Sequence, residues 1–191
     1  MRHNEVKEEL AQLCARAFSP SAVQDEPIIT PVQDNNQPGD STDDEKRGDL
    51  LVRGLWEKAK HCVIDVRITD INQPYQINKN PHKLLKDHEN KKKKKYLDAC
   101  LKQRRNFSPF VISTDGLMGK EADLLLRQIA QKLALKWHLP YSQVVNYVRT
   151  RISIAVTRAT HLCIRGSRIP APNISNKYPS WEDGAGVHLM N

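Results

Sequence analysis

The sequence predicts an α/β layer fold in which a small mixed sheet is flanked by helices. Three observations lead to this prediction. Short segments rich in β-branched residues alternate with longer segments of helical periodicity. At 191 residues, the chain is long enough for one domain with a proper core and too short for two. The hydrophobic fraction of 39% fits a globular centre diluted by polar segments.

The first part of the chain is predicted to form one helix and three strands around an acidic loop. The helix carries apolar side chains at helical spacing, and the strands are short and rich in Val, Ile and Leu. The loop has almost nothing to bury and several turn-forming residues, so we expect it to be mobile. In chain order, the predicted elements are a helix over 3–18, an edge strand over 26–30, the loop over 31–46, and strands over 49–54 and 62–69.

The second part is predicted to form three helices and one strand. The first of these helices is strongly basic, and the other two carry apolar stripes. The remainder, rich in Pro, Gly and Asn, is predicted to be a flexible tail that follows a domain formed by residues 1–170. The predicted elements are helix 81–105, strand 107–114, helix 120–137, a helix from 141 to about 163, and the tail 171–191.

Charge is distributed unevenly along the chain. Residues 1–46 hold 4 Lys or Arg against 10 Asp or Glu, whereas residues 47–191 hold 26 against 12. The basic excess is densest over residues 79–105, with 11 against 3. Because each neutralised phosphate releases condensed counterions, a surface of this kind favours a polyanion as partner. The expected partner is DNA, with RNA as the second candidate. The alternatives for the lysine run are a solubilising helix face and a nuclear-import signal.

Several function classes find no support in the sequence. It lacks the glycine-rich nucleotide loops, the zinc-protease motif and the serine-hydrolase motif. Its four cysteines are far apart, and we expect them to be reduced core residues rather than metal ligands. No run of about 18 apolar residues and no signal-like segment occurs, so the expectation is a soluble intracellular protein without a membrane partner.

Two aspartates occupy the strand pair 49–54 and 62–69, where neutral residues are usual. If the hairpin folds near Glu57, Asp49 lies opposite Asp65, with Cβ atoms roughly 5 Å apart. Opposed like charges destabilise a sheet, and a divalent cation such as Mg²⁺ would offset them. The alternative is structural: Asp49 caps the loop, and Asp65 forms a salt bridge with Arg67 or Arg53.

An ordered set of short motifs resembles a known family. The set resembles the PD-(D/E)XK, or restriction-like, nuclease core, and more specifically the C-terminal endonuclease region of non-LTR retrotransposon proteins. The resemblance spans residues 2 to about 170. The motifs are "RHNE" at 2–5, "EP" at 26–27, "RGDLLV" at 47–52, "IDVRITD" at 64–70, "KKKKKY" at 91–96 and "PFVISTDGLMG" at 109–119.

The resemblance implies a restriction-endonuclease-like core and a set of site residues. Asp49 and Asp65 would be the ligands of Mg²⁺ or Mn²⁺. Glu5 would stand for the acid of the first helix, with Glu26 as a weaker substitute, and the neighbouring His3 is expected to be a capping residue rather than a metal-site residue.

The family's catalytic lysine is missing from its usual position in this sequence. It usually follows the second acid, where Arg67 stands here, and arginine cannot serve as a general base. In the retrotransposon branch the lysine comes from the following helix, just before a tyrosine. This points to Lys95, with Lys92 one helical turn earlier. Gly48 also replaces the proline of the family motif.

The implied activity is metal-dependent nicking of DNA, which exposes a 3′ hydroxyl for reverse transcription. For an expressed chain the resemblance implies a nuclear location, and a cytoplasmic location is the alternative. The family's upstream reverse transcriptase and zinc knuckle are absent from this chain. The alternatives are an inactive remnant that only binds nucleic acid and a structural remnant without activity. The expected phosphate-binding residues are Arg67, Lys91, Lys92, Lys94, Arg104 and Arg105.

Overall fold

A computed structural model describes residues 2–29, 46–74 and 79–166. Within these ranges the chain forms four α-helices, one short 3₁₀ turn and six strands. In chain order they are α1 (Arg2–Ala17), the 3₁₀ turn (Pro20–Ala22), β1 (Val23–Asp25), β2 (Ile28–Ile29), β3 (Lys46–Arg47), β4 (Leu50–Arg53), β5 (His61–Thr69), α2 (Pro81–Lys102), β6 (Asn106–Ser113), α3 (Lys120–Trp137) and α4 (Tyr141–Gly166).

The main sheet has four strands in the order β1-β4-β5-β6. The β1–β4 and β4–β5 pairs are antiparallel, whereas β5 and β6 run parallel. A parallel pair needs a long crossover, and α2 lies within it. The strands β2 and β3 form a separate two-stranded ribbon. The predicted mixed sheet flanked by helices is therefore confirmed.

The larger core lies on the face of the sheet covered by α1, α3 and α4. Strand alternation sends Cys62, Ile64 and Val66 of β5 to this face, as the period-2 pattern predicts. Phe110 and Ile112 of β6 join them and are fully buried. The long apolar stripes of α1, α3 and α4 cover this face, which therefore holds most of the apolar burial.

The opposite face of the sheet packs against α2 and holds a smaller apolar cluster. Val63, one residue out of phase with the larger core, contributes from β5. Tyr96 and Cys100 contribute from α2, and Phe107 contributes from β6. The rings of Tyr96 and Phe107 pack with centroids 5.6 Å apart. This cluster fixes one flank of α2 against the sheet, and Lys91, Lys94 and Lys95 of the lysine run remain exposed.

The edge of the sheet differs from the prediction for residues 26–30. The edge strand is β1, which pairs with β4 through Val23, Gln24 and Asp25. Glu26 follows with φ at +44°, a backbone angle that interrupts an extended strand. Ile28 and Ile29 then pair with β3 instead of with the main sheet.

Helix α2 is shorter at its C-terminal end than predicted. It ends at Lys102, and the positive φ of Arg104, +56°, turns the chain directly into β6. The predicted bounds of α3 are confirmed, and α4 extends to Gly166. Within the described ranges the four cysteines are free, three buried and Cys163 half-buried.

Two predicted segments fall largely outside the described residues. Of the predicted acidic loop 31–46, only Lys46 is described, as the first residue of β3. The predicted tail 171–191 lies wholly outside them. None of the helices in the described ranges is both long and apolar enough to cross a membrane.

Candidate active site

The register of β4 and β5 places the two aspartates opposite each other. Leu50 pairs with Ile64 in this ladder, so one residue further Asp49 faces Asp65. The Asp49 N–H donates to the carbonyl of Ile64 at 3.0 Å. The Val66 N–H donates not to a backbone carbonyl but to Oδ2 of Asp49, at 2.6 Å. The predicted hairpin register is therefore confirmed, and the side chain of Asp49 is fixed by the backbone of β5.

Asp65 is a buried carboxylate that faces a lysine. The residue is 4% exposed, and Nζ of Lys92 on α2 lies 2.5 Å from its Oδ2. Burial raises the pKa of Asp65 and nearby Asp49 raises it further, while Lys92 acts in the opposite direction. Among the described residues, no donor makes a hydrogen bond of good geometry to this Oδ2. The carboxylate is thus balanced by charge and keeps unused capacity to accept a ligand.

Asp49 is paired with a histidine from α1. Nε2 of His3 lies 2.9 Å from Oδ2 of Asp49. This contact raises the pKa of His3, against the lowering effect of its partial burial. Contact with the acidic site, the less expected of the two roles that the sequence allows for His3, is therefore the one that the structure shows, because α1 brings its imidazole to the first acid. The signal was present in the sequence, since His3 stands in the same short motif as Glu5.

Of the two glutamates predicted for this site, Glu26 is paired with a lysine at the sheet edge, whereas the place of Glu5 in the site stays a prediction. Glu5 is half-buried on α1, two residues after His3, and His3 is the α1 side chain in contact with Asp49. Glu26, the weaker substitute, faces Nζ of Lys7 at 3.4 Å. Lys7 also forms an ion pair with Asp25 at 2.9 Å. Glu26 thus belongs to a salt-bridge cluster that joins α1 to the edge of the sheet.

Lys92 and Lys95 are the two candidates for the catalytic lysine, and their Nζ atoms have different neighbours. Nζ of Lys92 lies at Asp65, whereas Nζ of Lys95 lies over the ring of Tyr96, 4.7 Å from its centroid. The helix turns by about 100° per residue, so residues 92 and 95 occupy one broad face without pointing to the same place. The lysine adjacent to the acidic pair is therefore Lys92.

The predicted phosphate-binding residues separate into exposed and engaged groups. Lys91, Lys94 and Arg104 are exposed to solvent. Arg105 is half-buried and donates from Nη1 to the carbonyl of Ile28 at 3.2 Å. The other two engaged residues are Lys92, which pairs with Asp65, and Arg67, whose Nη2 lies 3.5 Å from Nε2 of His88.

The acidic pair fits a cation through few protein ligands. Within the described ranges, no group of three or more His, Cys, Asp or Glu side chains is arranged to hold a metal ion. Asp49 and Asp65 supply two carboxylates. Among the described residues the buried Oδ2 of Asp65 has Nζ of Lys92 beside it at 2.5 Å but no hydrogen bond of good geometry. Mg²⁺ commonly takes one or two carboxylates and completes its shell with water and substrate phosphates. The two aspartates are compatible with that mode of binding.

The glycine that precedes the first acid is required by its surroundings. A Cβ atom on Gly48 would lie 2.4 Å from Cγ1 of Val63, far inside van der Waals contact. The Gly48 N–H also donates to the carbonyl of Pro27 at 3.0 Å, a bond that proline could not make. Local packing at the start of β4 thus explains why glycine, and not the proline of the motif that the sequence resembles, stands at position 48.

No protein-family model matches this chain, and no curated protein sequence was found that matches it.

Proposed function

We propose that this chain is a metal-dependent DNA endonuclease with a restriction-like core, of the kind that ends non-LTR retrotransposon proteins and nicks DNA to prime reverse transcription. The observation that carries the proposal is the opposition of Asp49 and Asp65 across β4 and β5, with Lys92 against the second acid. The motif order supports the same assignment, because the first acid stands just before β4 and the second lies within β5.

The two carboxylates are the residues that would hold the metal. A bound Mg²⁺ or Mn²⁺ would activate water and stabilise charge on the phosphodiester. Asp49 is already oriented by the Val66 N–H, and Asp65 is oriented by the rigid centre of β5. This fixed geometry supports the proposal, since a catalytic site requires side chains locked by their surroundings.

Lys92 and Arg67 would act on the substrate phosphate and the attacking water. Lys92 lies close enough to Asp65 to donate to an oxygen bound beside it. In the proposed mechanism it therefore takes the role that the resemblance assigns to Lys95. Arg67 leaves the same face of β5 as Asp65 and would clamp a phosphate, because its guanidinium stays charged. Lys91 and Lys94 on the exposed flank of α2 would track the backbone of DNA.

The test is nicking of supercoiled plasmid by the whole chain with Mg²⁺ or Mn²⁺, and with EDTA as control. We expect Asp49→Ala and Asp65→Ala each to lower the nicking rate by at least about a hundredfold, since each removes a metal ligand. Both variants should still bind DNA. Their thermal unfolding should be compared with that of the wild type, so that lost folding is not read as lost chemistry.

The paired variants Lys92→Ala and Lys95→Ala test the lysine assignment. Loss of nicking with Lys92→Ala alone supports the geometry at Asp65. Loss with Lys95→Ala alone would instead restore the family's lysine before tyrosine. Both lysines lie on one helix, and each substitution removes one positive charge, so each variant is the matched control of the other.

A binding module without catalysis is the second candidate function. It is favoured by the contacts of the site, because Asp49 already lies against His3 and Asp65 against Lys92 within the chain. A folded wild type that binds DNA with steep salt dependence and never nicks it would establish this alternative. A chain without salt-dependent DNA binding would be neither, and both candidates would be rejected.

A further inference from the structure

A buried histidine lies beside the candidate active site and has no role in the proposed function. His88 of α2 is 4% exposed and faces β5. Its Nδ1 lies 2.9 Å from Oγ1 of Thr69, and its Nε2 lies 3.5 Å from Nη2 of Arg67. The imidazole therefore bridges two side chains on the same face of β5.

The chemistry of arginine fixes the protonation state of this histidine. A guanidinium has only donors, so Nε2 of His88 must be the acceptor in the contact with Arg67. The proton of the neutral ring is then on Nδ1, which donates to Oγ1 of Thr69. Burial, together with the positive charges of Arg67 and Lys91, lowers the pKa of His88 to about 4. The ring is neutral at pH 7.

The position of His88 relative to Lys92 relates this bridge to the acidic pair. The two residues are one helical turn apart on the face of α2 that meets β5. Arg67 and Asp65 are two residues apart on the facing side of β5, about 7 Å along the strand. The contacts of α2 with β5 thus form two adjacent rungs, Lys92 with Asp65 and His88 with Arg67 and Thr69.

We propose that His88 is a positioning residue, which holds the Arg67 guanidinium on the face of β5 that carries Asp65, as a preformed clamp for a DNA phosphate. The clamp rests on the proposed function, since it assumes a DNA substrate at this site. An arginine on a strand surface otherwise loses rotamer entropy when it is fixed. The neutral ring removes part of that loss before the substrate arrives and adds no charge of its own.

The tautomer can be measured directly on the folded wild type. In ¹⁵N-histidine-labelled protein, the His88 signals, assigned by their absence in His88→Gln, should show a protonated Nδ1 and a bare Nε2 at pH 7. The opposite tautomer, or a charged ring, would overturn the proposal. This measurement requires neither substrate nor metal.

The role of the clamp is tested by DNA binding in EDTA, where cleavage plays no part. We expect His88→Leu to weaken duplex binding roughly three- to tenfold, as for the loss of one ordinary hydrogen bond. His88→Gln, whose side-chain oxygen can accept from Arg67, should retain most of the affinity. His82→Leu, an exposed histidine on the same helix, is the matched control and should bind as the wild type does.

A double-mutant cycle separates positioning from a general effect on folding. Arg67→Ala should weaken binding, and His88→Leu should weaken it no further in the Arg67→Ala background. Equal losses in both backgrounds, or a His88→Leu variant that binds as the wild type does, would overturn the clamp while leaving the proposed function intact. If the wild type fails to bind DNA, both proposals fail together.

Discussion

The two faces of the main sheet are built from the same strands and differ sharply in what they bury. The face under α1, α3 and α4 holds a large apolar cluster that takes Ile64 and Val66 from β5. The face under α2 has a small apolar cluster and several buried polar groups. Those polar groups are Asp65, Thr69, His88 and Glu89.

The difference indicates a division of labour between the two faces. Burying a charged or polar group without a partner costs free energy, so a face that serves stability alone buries few such groups. On the apolar face Ser108 of β6 is buried, and its Oγ accepts from Nε1 of Trp56 at 2.8 Å. On the α2 face the buried polar groups have partners on other elements. Asp65 pairs with Lys92, and Glu89 accepts a hydrogen bond from the Glu121 N–H at 2.9 Å. We infer that the apolar face supplies most of the stability and that the α2 face gives up some of it to hold a reactive site.

Two phenylalanines of β6 test this comparison most strongly. Phe110 is fully buried in the apolar face, and Phe107, 7% exposed, belongs to the α2 face. We expect Phe110→Ala to lower the free energy of unfolding by about 4–5 kcal/mol and Phe107→Ala by about 3 kcal/mol, because the smaller cluster relaxes more easily. Urea denaturation measures both. Equal losses would show that the α2 face is packed as tightly as the other.

The start of β4 offers a second test, directed at the α2 face. Gly48→Pro would press on Val63, a member of the α2-face cluster, and remove the bond from the Gly48 N–H to Pro27. We expect a loss of about 3 kcal/mol, which combines overpacking with a lost hydrogen bond. Urea denaturation measures it, and a variant as stable as the wild type would show that β4 can shift to admit the family's proline.

Lys92→Met tests whether the buried acid depends on its lysine. Since the folded-state pKa of Asp65 is raised, its protonated form favours folding, and that stability is lost as the pH rises through the folded-state pKa. Lys92 limits the loss, so its removal should cost about 2 kcal/mol at pH 7 and less near pH 4.

Urea denaturation of Lys92→Met at the two pH values supplies the comparison. The double variant Lys92→Met with Asp65→Asn is the control, because it removes both charges. It should recover part of the stability at pH 7. A penalty independent of pH would show that Lys92 acts through packing and not through its charge on Asp65.

The smallest effect is expected at His3. Its folded-state pKa is raised by Asp49, so the stability from this pair is fully present below the ordinary histidine pKa and is lost as the pH rises through the folded value. Because its side chain is 39% exposed, solvent screening limits the contribution to less than about 1 kcal/mol. The difference in unfolding free energy between the wild type and His3→Asn should therefore be larger at pH 6 than at pH 8.

The sequence by itself determined the four helices, the strands β4, β5 and β6, and the two faces of β5. The alternation in β5 assigned Ile64 to one face and Asp65 to the other, and the structure confirms both. It also determined that Asp49 and Asp65 meet, because an antiparallel hairpin with a known centre has a single register. The faces of β5 and the opposition of the two aspartates follow from strand periodicity and turn position, and both can be found within one short segment of the sequence.

Only the tertiary structure decided which partners surround the acids. The sequence pattern points to Lys95, before the tyrosine, whereas the docking of α2 on β5 brings Nζ of Lys92 to Asp65. His3 reaches Asp49, and His88 reaches Arg67, across 46 and 21 positions of the chain respectively. Such pairings depend on the angle and depth at which a helix packs on the sheet. That geometry arises from the fit of many side chains at once, and no short motif encodes it.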